Sequence, residues 1–162
     1  MLKVLSGIAI ILFSTLCGYV FAKKYRQRRL FFTQFYQFNQ RFLNEIAYYR
    51  RPIKEFFATY SYKGEFNDFL KEFYENLDAR SHSIGEYLLG FTFLKKEDRT
   101  VIEDYFYMIG KGDSFSQNAY FSSVKEKLFS LQKEAEESNK KHGDLYVKMG
   151  FLVGIFILIL IV

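Results

Sequence analysis

The stretch FFTQFYQFNQRFLNEIAYY, residues 31–49, decides the fold. Apolar side chains recur in it every three or four residues, and most of the positions between them are polar. This spacing predicts a helix with one buried face. Nothing between Val20 and Leu30 breaks a helix, so we expect this helix to begin inside the apolar run that precedes it. The buried positions are predicted to be Phe31, Phe35, Phe38, Phe42, Ile46 and Tyr49.

That preceding run, residues 4–22, contains 19 uncharged residues. At about 1.5 Å per residue it can cross ~30 Å of hydrocarbon. A second apolar run, residues 149–162, extends to about 27 Å when it is counted back to Leu145, because Lys148 can snorkel to the headgroups. The predicted segments are a transmembrane anchor at residues 1–24, a helical bundle at 25–144 and a C-terminal transmembrane span at 145–162.

Positive charge follows the first apolar run and precedes the second. Lys140, Lys141 and Lys148 lie before the second run, whereas only Lys3 lies before the first. The positive-inside rule therefore predicts a cytoplasmic middle with both termini across the membrane. We interpret the five cations that follow the first run as the flank of a membrane anchor. We therefore expect neither a cleaved signal peptide nor nucleic-acid binding. The cluster consists of Lys23, Lys24, Arg26, Arg28 and Arg29.

Small residues recur one turn apart in both spans, where they allow helix backbones to approach closely in lipid. This pattern fits two alternatives, packing of the two spans on each other or assembly with other membrane proteins. The residues are Ser14, Gly18 and Ala22 in the first span, and Gly150 and Gly154 in the second.

The middle of the chain predicts further helices separated by short breaks. Pro52 ends the first helix. Later helices are expected at residues 53–61, after Gly64, within 79–91, at 95–110 and from Ser114 onward. Gly143 is the one residue expected to weaken the last helix before the membrane. No strand alternation is present. We predict an all-α fold, a cytoplasmic helical bundle whose first and last helices continue into N- and C-terminal transmembrane spans. The aromatic stripes are expected to be core rather than a binding groove.

The segment GKGDSFSQ, residues 110–117, superficially resembles a phosphate-binding loop. A Walker loop also needs a glycine five positions before the Gly–Lys pair, where Tyr105 stands, and a strand before the loop. We predict a turn instead, with left-handed conformations at Gly110 and Gly112. A capping box of Ser114 and Gln117, with Asp113 adding favourable charge, would begin the next helix.

The reactive side chains in the sequence form no pattern typical of a catalytic or metal-binding site. The single cysteine, Cys17, excludes an intramolecular disulfide, and His82 and His142 lie far apart without cysteine neighbours. Acidic pairs are typical of solvated helix faces. We therefore predict no catalytic residue, no metal, no cofactor and no small-molecule substrate.

Several groups of residues follow one another at characteristic intervals between the two terminal spans. They are Ala22, Tyr25 and Arg28; Glu45, Ile46 and Tyr48; Pro52, Ile53 and Glu55; Ile109, Gly110, Asp113 and Gln117; and Tyr146, Lys148, Gly150, Phe151, Leu152 and Gly154. In their order and spacing they resemble the stage III sporulation protein AB family of endospore-forming bacteria, over the whole chain. The chain is richer in Phe and Tyr, and poorer in Leu, than the resemblance would suggest.

The resemblance implies a non-enzymatic membrane platform subunit of the mother cell–forespore complex, in the outer forespore membrane with its body on the mother-cell side. It also implies similarity to platform proteins of type II secretion and type IV pilus machines. The implied partners are a secretion-type ATPase like stage III sporulation protein AA, small membrane subunits of the same operon, and the bilayer. Residues that either contact that partner or define a turn of the fold are Glu45, Tyr48, Pro52, Glu55, Gly110, Asp113 and Gln117.

A rival interpretation is a generic membrane-tethered helical adaptor, or an anionic-lipid-binding protein, unrelated to secretion. In that case the cations of residues 23–29 would bind anionic headgroups.

Overall fold

The computed structural model describes residues 2–49, 51–76 and 84–161. Every regular element in these ranges is helical, which confirms the predicted all-α class. Leu77, His82 and the first part of the helix predicted within 79–91 lie outside the described residues. The helices are α1 (Leu2–Asn44), α2 (Ile53–Thr59), α3 (Gly64–Glu75), α4 (Ile84–Leu89), α5 (Lys96–Met108), α6 (Ser114–Ser138) and α7 (Asp144–Ile161), with π-helical turns at Glu45–Tyr49 and Asn139–Gly143.

The first and last long helices are apolar enough to cross a membrane. Their most apolar windows are only 17% and 11% buried, so the apolar side chains point outward. Phe13, for example, is 71% exposed. A core helix of a soluble protein would bury such residues, and a contiguous exposed apolar surface marks contact with a membrane or with another protein. The two helices therefore fit a membrane protein.

The chain divides into two compact units. Residues 1–29 and 134–162 form the anchor unit, which contains the start of α1 and all of α7. Residues 30–133 form the bundle unit, which contains the end of α1, helices α2 to α5 and most of α6.

The core of the bundle unit is built from aromatic rings. Phe35 lies edge-on to Tyr105 at 4.8 Å between ring centroids, and Phe69 meets Phe106 in the same way at 4.7 Å. Such pairs add about 0.5–1.5 kcal/mol each beyond the area that they bury. The interpretation of the aromatic stripes as core is confirmed. The fully buried aromatic side chains are Phe31, Phe32, Phe35, Phe38, Phe56, Phe66, Phe69, Tyr105, Phe106 and Phe121.

A polar link passes through this core. The side chain of Asn39 is fully buried, and its carbonyl oxygen accepts a 2.9 Å hydrogen bond from the Tyr105 hydroxyl. Its amide nitrogen donates to the backbone carbonyl of Phe121 at 3.3 Å. Burial raises the pKa of Tyr105 well above its usual value, so the phenol stays neutral and remains a donor. Asn39 thus ties α1 to both α5 and α6.

We expect Asn39→Ala to lower the free energy of unfolding by about 1–3 kcal/mol, because the Tyr105 hydroxyl loses its acceptor inside the core. The measurement is SDS titration of the full chain in mixed micelles, followed by circular dichroism. Adding Tyr105→Phe to Asn39→Ala removes the orphaned hydroxyl and should cost less than the two single changes together. Additive losses would contradict the link.

Gln34 is one of the polar positions between the apolar residues of the stretch 31–49, yet it is buried. It is 7% exposed, and its side chain clamps the backbone of Lys63, just before α3. The amide oxygen accepts from the Lys63 N–H at 2.6 Å, and the amide nitrogen donates to the Lys63 carbonyl at 2.7 Å. Both backbone groups of Lys63 are thereby hydrogen-bonded.

Candidate functional site

An open cleft of about 180 Å³ lies in the bundle unit where three parts of the chain meet. These parts are the end of α1 with its π-helical turn, the segment from Arg51 into α2, and the start of α6. Two of the segments that carried the family resemblance, residues 45–55 and 110–117, therefore lie side by side. The cleft is lined by Phe42, Glu45, Ile46, Arg51, Ile53, Phe56, Ser114 and Gln117.

The π-helical turn decides which side chains enter the cleft. Glu45, its first residue, is only 3% exposed, whereas Tyr49, its last, is 64% exposed. The prediction that Tyr49 continues the buried stripe is wrong. A π-helical turn bonds residues five apart and widens the helix, so the α-helical spacing does not hold through it.

Glu45 and Arg51 form a tight ion pair at the wall of the cleft. The Arg51 guanidinium donates to both carboxylate oxygens, from Nε at 2.9 Å and from Nη2 at 2.6 Å, and the Arg51 backbone N–H donates at 3.0 Å. These hydrogen bonds lower the pKa of Glu45 below its usual range and raise that of Arg51, so both groups are charged at neutral pH. A two-point pair of this kind fixes geometry as well as charge.

The Glu45–Arg51 ion pair holds the chain in place where it turns back at Pro52 into α2. Pro52 is the N-cap of α2, and its carbonyl accepts from the backbone N–H groups of Glu55 and Phe56 at 2.9 and 3.2 Å. The predicted helix boundary at Pro52 is confirmed. Glu55 itself is exposed on α2.

The turn before α6 forms the opposite wall. Gly110 and Gly112 have φ values of 76° and 79°, which confirms their predicted left-handed conformations. A Cβ on Gly110 would lie 3.2 Å from Cδ1 of Ile53, so the turn packs closely against α2.

The cap of α6 is Asp113, one residue earlier than the predicted Ser114. Its carboxylate accepts from the Ser116 N–H at 2.8 Å, and its carbonyl accepts from the Gln117 N–H at 3.0 Å. The hydrogen bonds from Ser116 lower the pKa of Asp113. A carboxylate caps a helix N-terminus at least as well as a hydroxyl and complements its dipole.

Exposed aromatic side chains accompany the cleft. Tyr48 is 79% exposed, and Phe115, which follows the cleft-lining Ser114, is 82% exposed. The ring of Tyr49 lies 5.1 Å from the guanidinium carbon of Arg51. Neither Arg51 nor Phe115 was among the predicted site residues. The available signal for Phe115 was a large aromatic residue one position into a helix, between two serines.

The polar groups of the cleft are few. Its carboxylate is engaged by Arg51, and its remaining polar lining residues are Ser114 and Gln117. Among the residues that the structure describes, no three His, Cys, Asp or Glu side chains are grouped so that they could hold a metal ion. Buried anchors flanked by exposed aromatic residues are typical of protein-binding surfaces.

In the anchor unit, the small residues lie where α1 and α7 meet in antiparallel fashion. The Ser14 hydroxyl donates to the Gly150 carbonyl at 2.5 Å. A Cβ on Gly18 would lie 2.5 Å from the carbonyl oxygen of Tyr146, and one on Gly154 would lie 2.9 Å from Cα of Ile11. Ala22 is fully buried. In this structure the two helices thus pack on each other through Ser14, Gly18, Gly150 and Gly154.

The cations after the first apolar run differ in burial. Lys23, Lys24 and Arg29 are exposed. Arg26 lies with its guanidinium carbon 4.5 Å from the ring centroid of Tyr19. Arg28, in contrast, is 5% exposed and pairs with Glu134 at 3.4 Å, so it joins α1 to α6.

One protein-family model matches nearly the whole chain. The model for the family described as stage III sporulation protein AB matches residues 3–162. No curated protein and no solved structure matches the chain.

Proposed function

The chain belongs to the stage III sporulation protein AB family and is thus a sporulation protein, and from this premise we propose that it is a non-enzymatic membrane platform subunit. In this role it docks a cytoplasmic secretion-type ATPase, like stage III sporulation protein AA, to the outer forespore membrane. The two terminal helices cross the membrane, and the bundle unit lies in the mother-cell cytoplasm. Small membrane subunits of the same operon complete the complex.

The observation that carries this proposal is the convergence of residues 45–55 and 110–117 on one cleft. Both segments hold the residues through which the chain resembles its family, and they lie more than 50 residues apart in the sequence. The cleft lies beside exposed aromatic side chains, and aromatic residues are enriched at protein–protein interfaces.

Burial separates the residues that shape the cleft from those that can contact a partner. Glu45, Pro52, Gly110 and Asp113 make contacts within the fold, and we assign them to shaping the surface. Tyr48 and Phe115 are exposed, and we assign them to contact with the ATPase, with Glu55 and Gln117 at its edge.

The test measures binding between the purified ATPase and the full chain in lipid nanodiscs. We expect Tyr48→Ala and Phe115→Ala each to weaken binding by about 10–30-fold, the effect of removing an interface hot spot of about 2 kcal/mol. Circular dichroism and SDS titration should show an unchanged fold, because both side chains are exposed.

Leu89→Ala is the matched control, because Leu89 is an exposed apolar residue of α4 that does not line the cleft. Its affinity for the ATPase should equal that of the unmodified chain. Equal affinities for all three variants would place the docking surface elsewhere. Failure of the unmodified chain to bind the ATPase would favour the adaptor interpretation.

A further inference from the structure

The anchor unit contains an apolar groove of about 410 Å³ beside the contact between α1 and α7. Its walls are side chains from the apolar runs of the two helices, so the groove lies at the depth of the hydrocarbon. The lining residues are Ala9, Ile10, Phe13, Ser14, Cys17 and Ile157.

A cation stands above this groove on the same helix face. Ile10, Phe13 and Cys17 are spaced three and four residues apart, and Lys24 follows Cys17 by seven residues, which is two helical turns or about 10 Å along the axis. Lys24 is exposed, and its ammonium lies 5.1 Å from the ring centroid of Tyr25. The neighbouring Lys23 is rotated by about 100° around the helix, away from the line of the groove.

We propose that this groove binds an anionic phospholipid, with one acyl chain along the groove beside the α1–α7 contact and the phosphate on Lys24. An occupant must match an apolar groove inside the bilayer and a cation at its cytoplasmic end, and a lipid with an anionic headgroup does both. Tyr25 and Tyr146, whose rings lie 5.9 Å apart, stand at the level where aromatic side chains favour the headgroup region. The proposal does not depend on the docking of the ATPase.

The absence of tryptophan from the chain allows a direct test with two single-tryptophan variants. Phe13→Trp, the groove probe, places a fluorophore on the wall of the groove, and Leu16→Trp, the outer probe, places one on an exposed position of α1 outside it. Each full-length variant is reconstituted in phosphatidylcholine vesicles that contain increasing fractions of phosphatidylglycerol. The acyl chains of one lipid or the other are brominated, and quenching gives the relative affinity of each lipid at each position.

We expect the groove probe to report a preference for phosphatidylglycerol of about fivefold, the effect of one cation near the membrane surface. The outer probe should report no preference. Adding Lys24→Gln to the groove probe should abolish its preference, whereas Lys23→Gln removes the same charge one residue away and should leave the preference intact.

Three results would overturn the proposal. Equal quenching of the groove probe by both lipids would show that the groove does not select charge. Equal losses in Lys23→Gln and Lys24→Gln would show a diffuse surface potential rather than a site. Quenching of the outer probe but not of the groove probe would show that a protein segment, such as a second copy of the chain, fills the groove. Native mass spectrometry of the unmodified chain is an independent test. The chain should retain phosphatidylglycerol in preference to phosphatidylcholine.

Discussion

Gly18→Leu should lower the free energy of unfolding of the full chain by about 3 kcal/mol, the upper end of the usual cost of overpacking. Even a Cβ at this position would lie 2.5 Å from the carbonyl oxygen of Tyr146 and 3.3 Å from Cα of Gly150. These neighbours are backbone atoms and cannot rotate away, so α1 and α7 must move apart. SDS titration in mixed micelles measures the loss.

Gly→Ala substitutions at two positions provide the matched comparison. In Gly18→Ala the new methyl meets backbone, whereas in Gly7→Ala it meets the end of the flexible Leu158 side chain. We therefore expect a clear loss of stability for Gly18→Ala and a small change for Gly7→Ala. Equal effects at the two glycines would mean that close backbone approach does not hold the helices together. The alternative use of these residues, assembly with other membrane proteins, would then regain support.

The sequence was sufficient for those features that depend on local pattern. Helical spacing predicted the all-α class, Pro52 predicted the start of α2, and the two glycines of residues 110–117 predicted a left-handed turn. Each of these depends on the backbone preferences of a few neighbouring residues. The cap of α6 was misplaced by one residue because Asp113 and Ser114 are both good caps, and only the fold selects between them.

Features that depend on distant partners could not be predicted in this way. Asn39 finds its acceptor at Phe121, 82 residues along the chain, and Gln34 finds its partner at Lys63, 29 residues along. In a sequence both look like ordinary polar positions of a helix. The π-helical turn was not predicted either, because the α-helical spacing of the apolar residues does not show where the helix widens.

Glu45→Gln should lower the free energy of unfolding by about 1–3 kcal/mol at pH 7, since the amide keeps the shape of the side chain but loses the charged hydrogen bonds to Arg51. Glu55→Gln, which removes an exposed carboxylate on α2, should have little effect. The measurement is again SDS titration of the full chain, and a similar loss in the two variants would contradict a special role for the ion pair.

The same ion pair predicts a dependence on pH. The Arg51 hydrogen bonds hold the pKa of Glu45 below 4.5, its value in an unfolded chain. Its stabilising contribution is therefore complete above about pH 4.5 and is lost as the pH falls through the lower, folded value. The stability difference between the unmodified chain and Glu45→Gln should shrink over that acidic range. A difference that stays constant throughout that range would show that the substitution acts through packing instead.

Glu45→Gln also distinguishes two possible roles of this side chain, holding the shape of the docking surface and contacting the partner directly. If Glu45 acts only by holding the π-helical turn, the variant should bind the ATPase more weakly only to the extent that its molecules lose the turn, and conditions that restore the turn should restore binding. Tyr48→Ala should instead weaken binding at unchanged stability, because its exposed ring contributes to contact and not to the fold. The opposite pattern, with loss of binding in a fully stable Glu45→Gln, would place the carboxylate itself in the interface and would require the partner to displace Arg51.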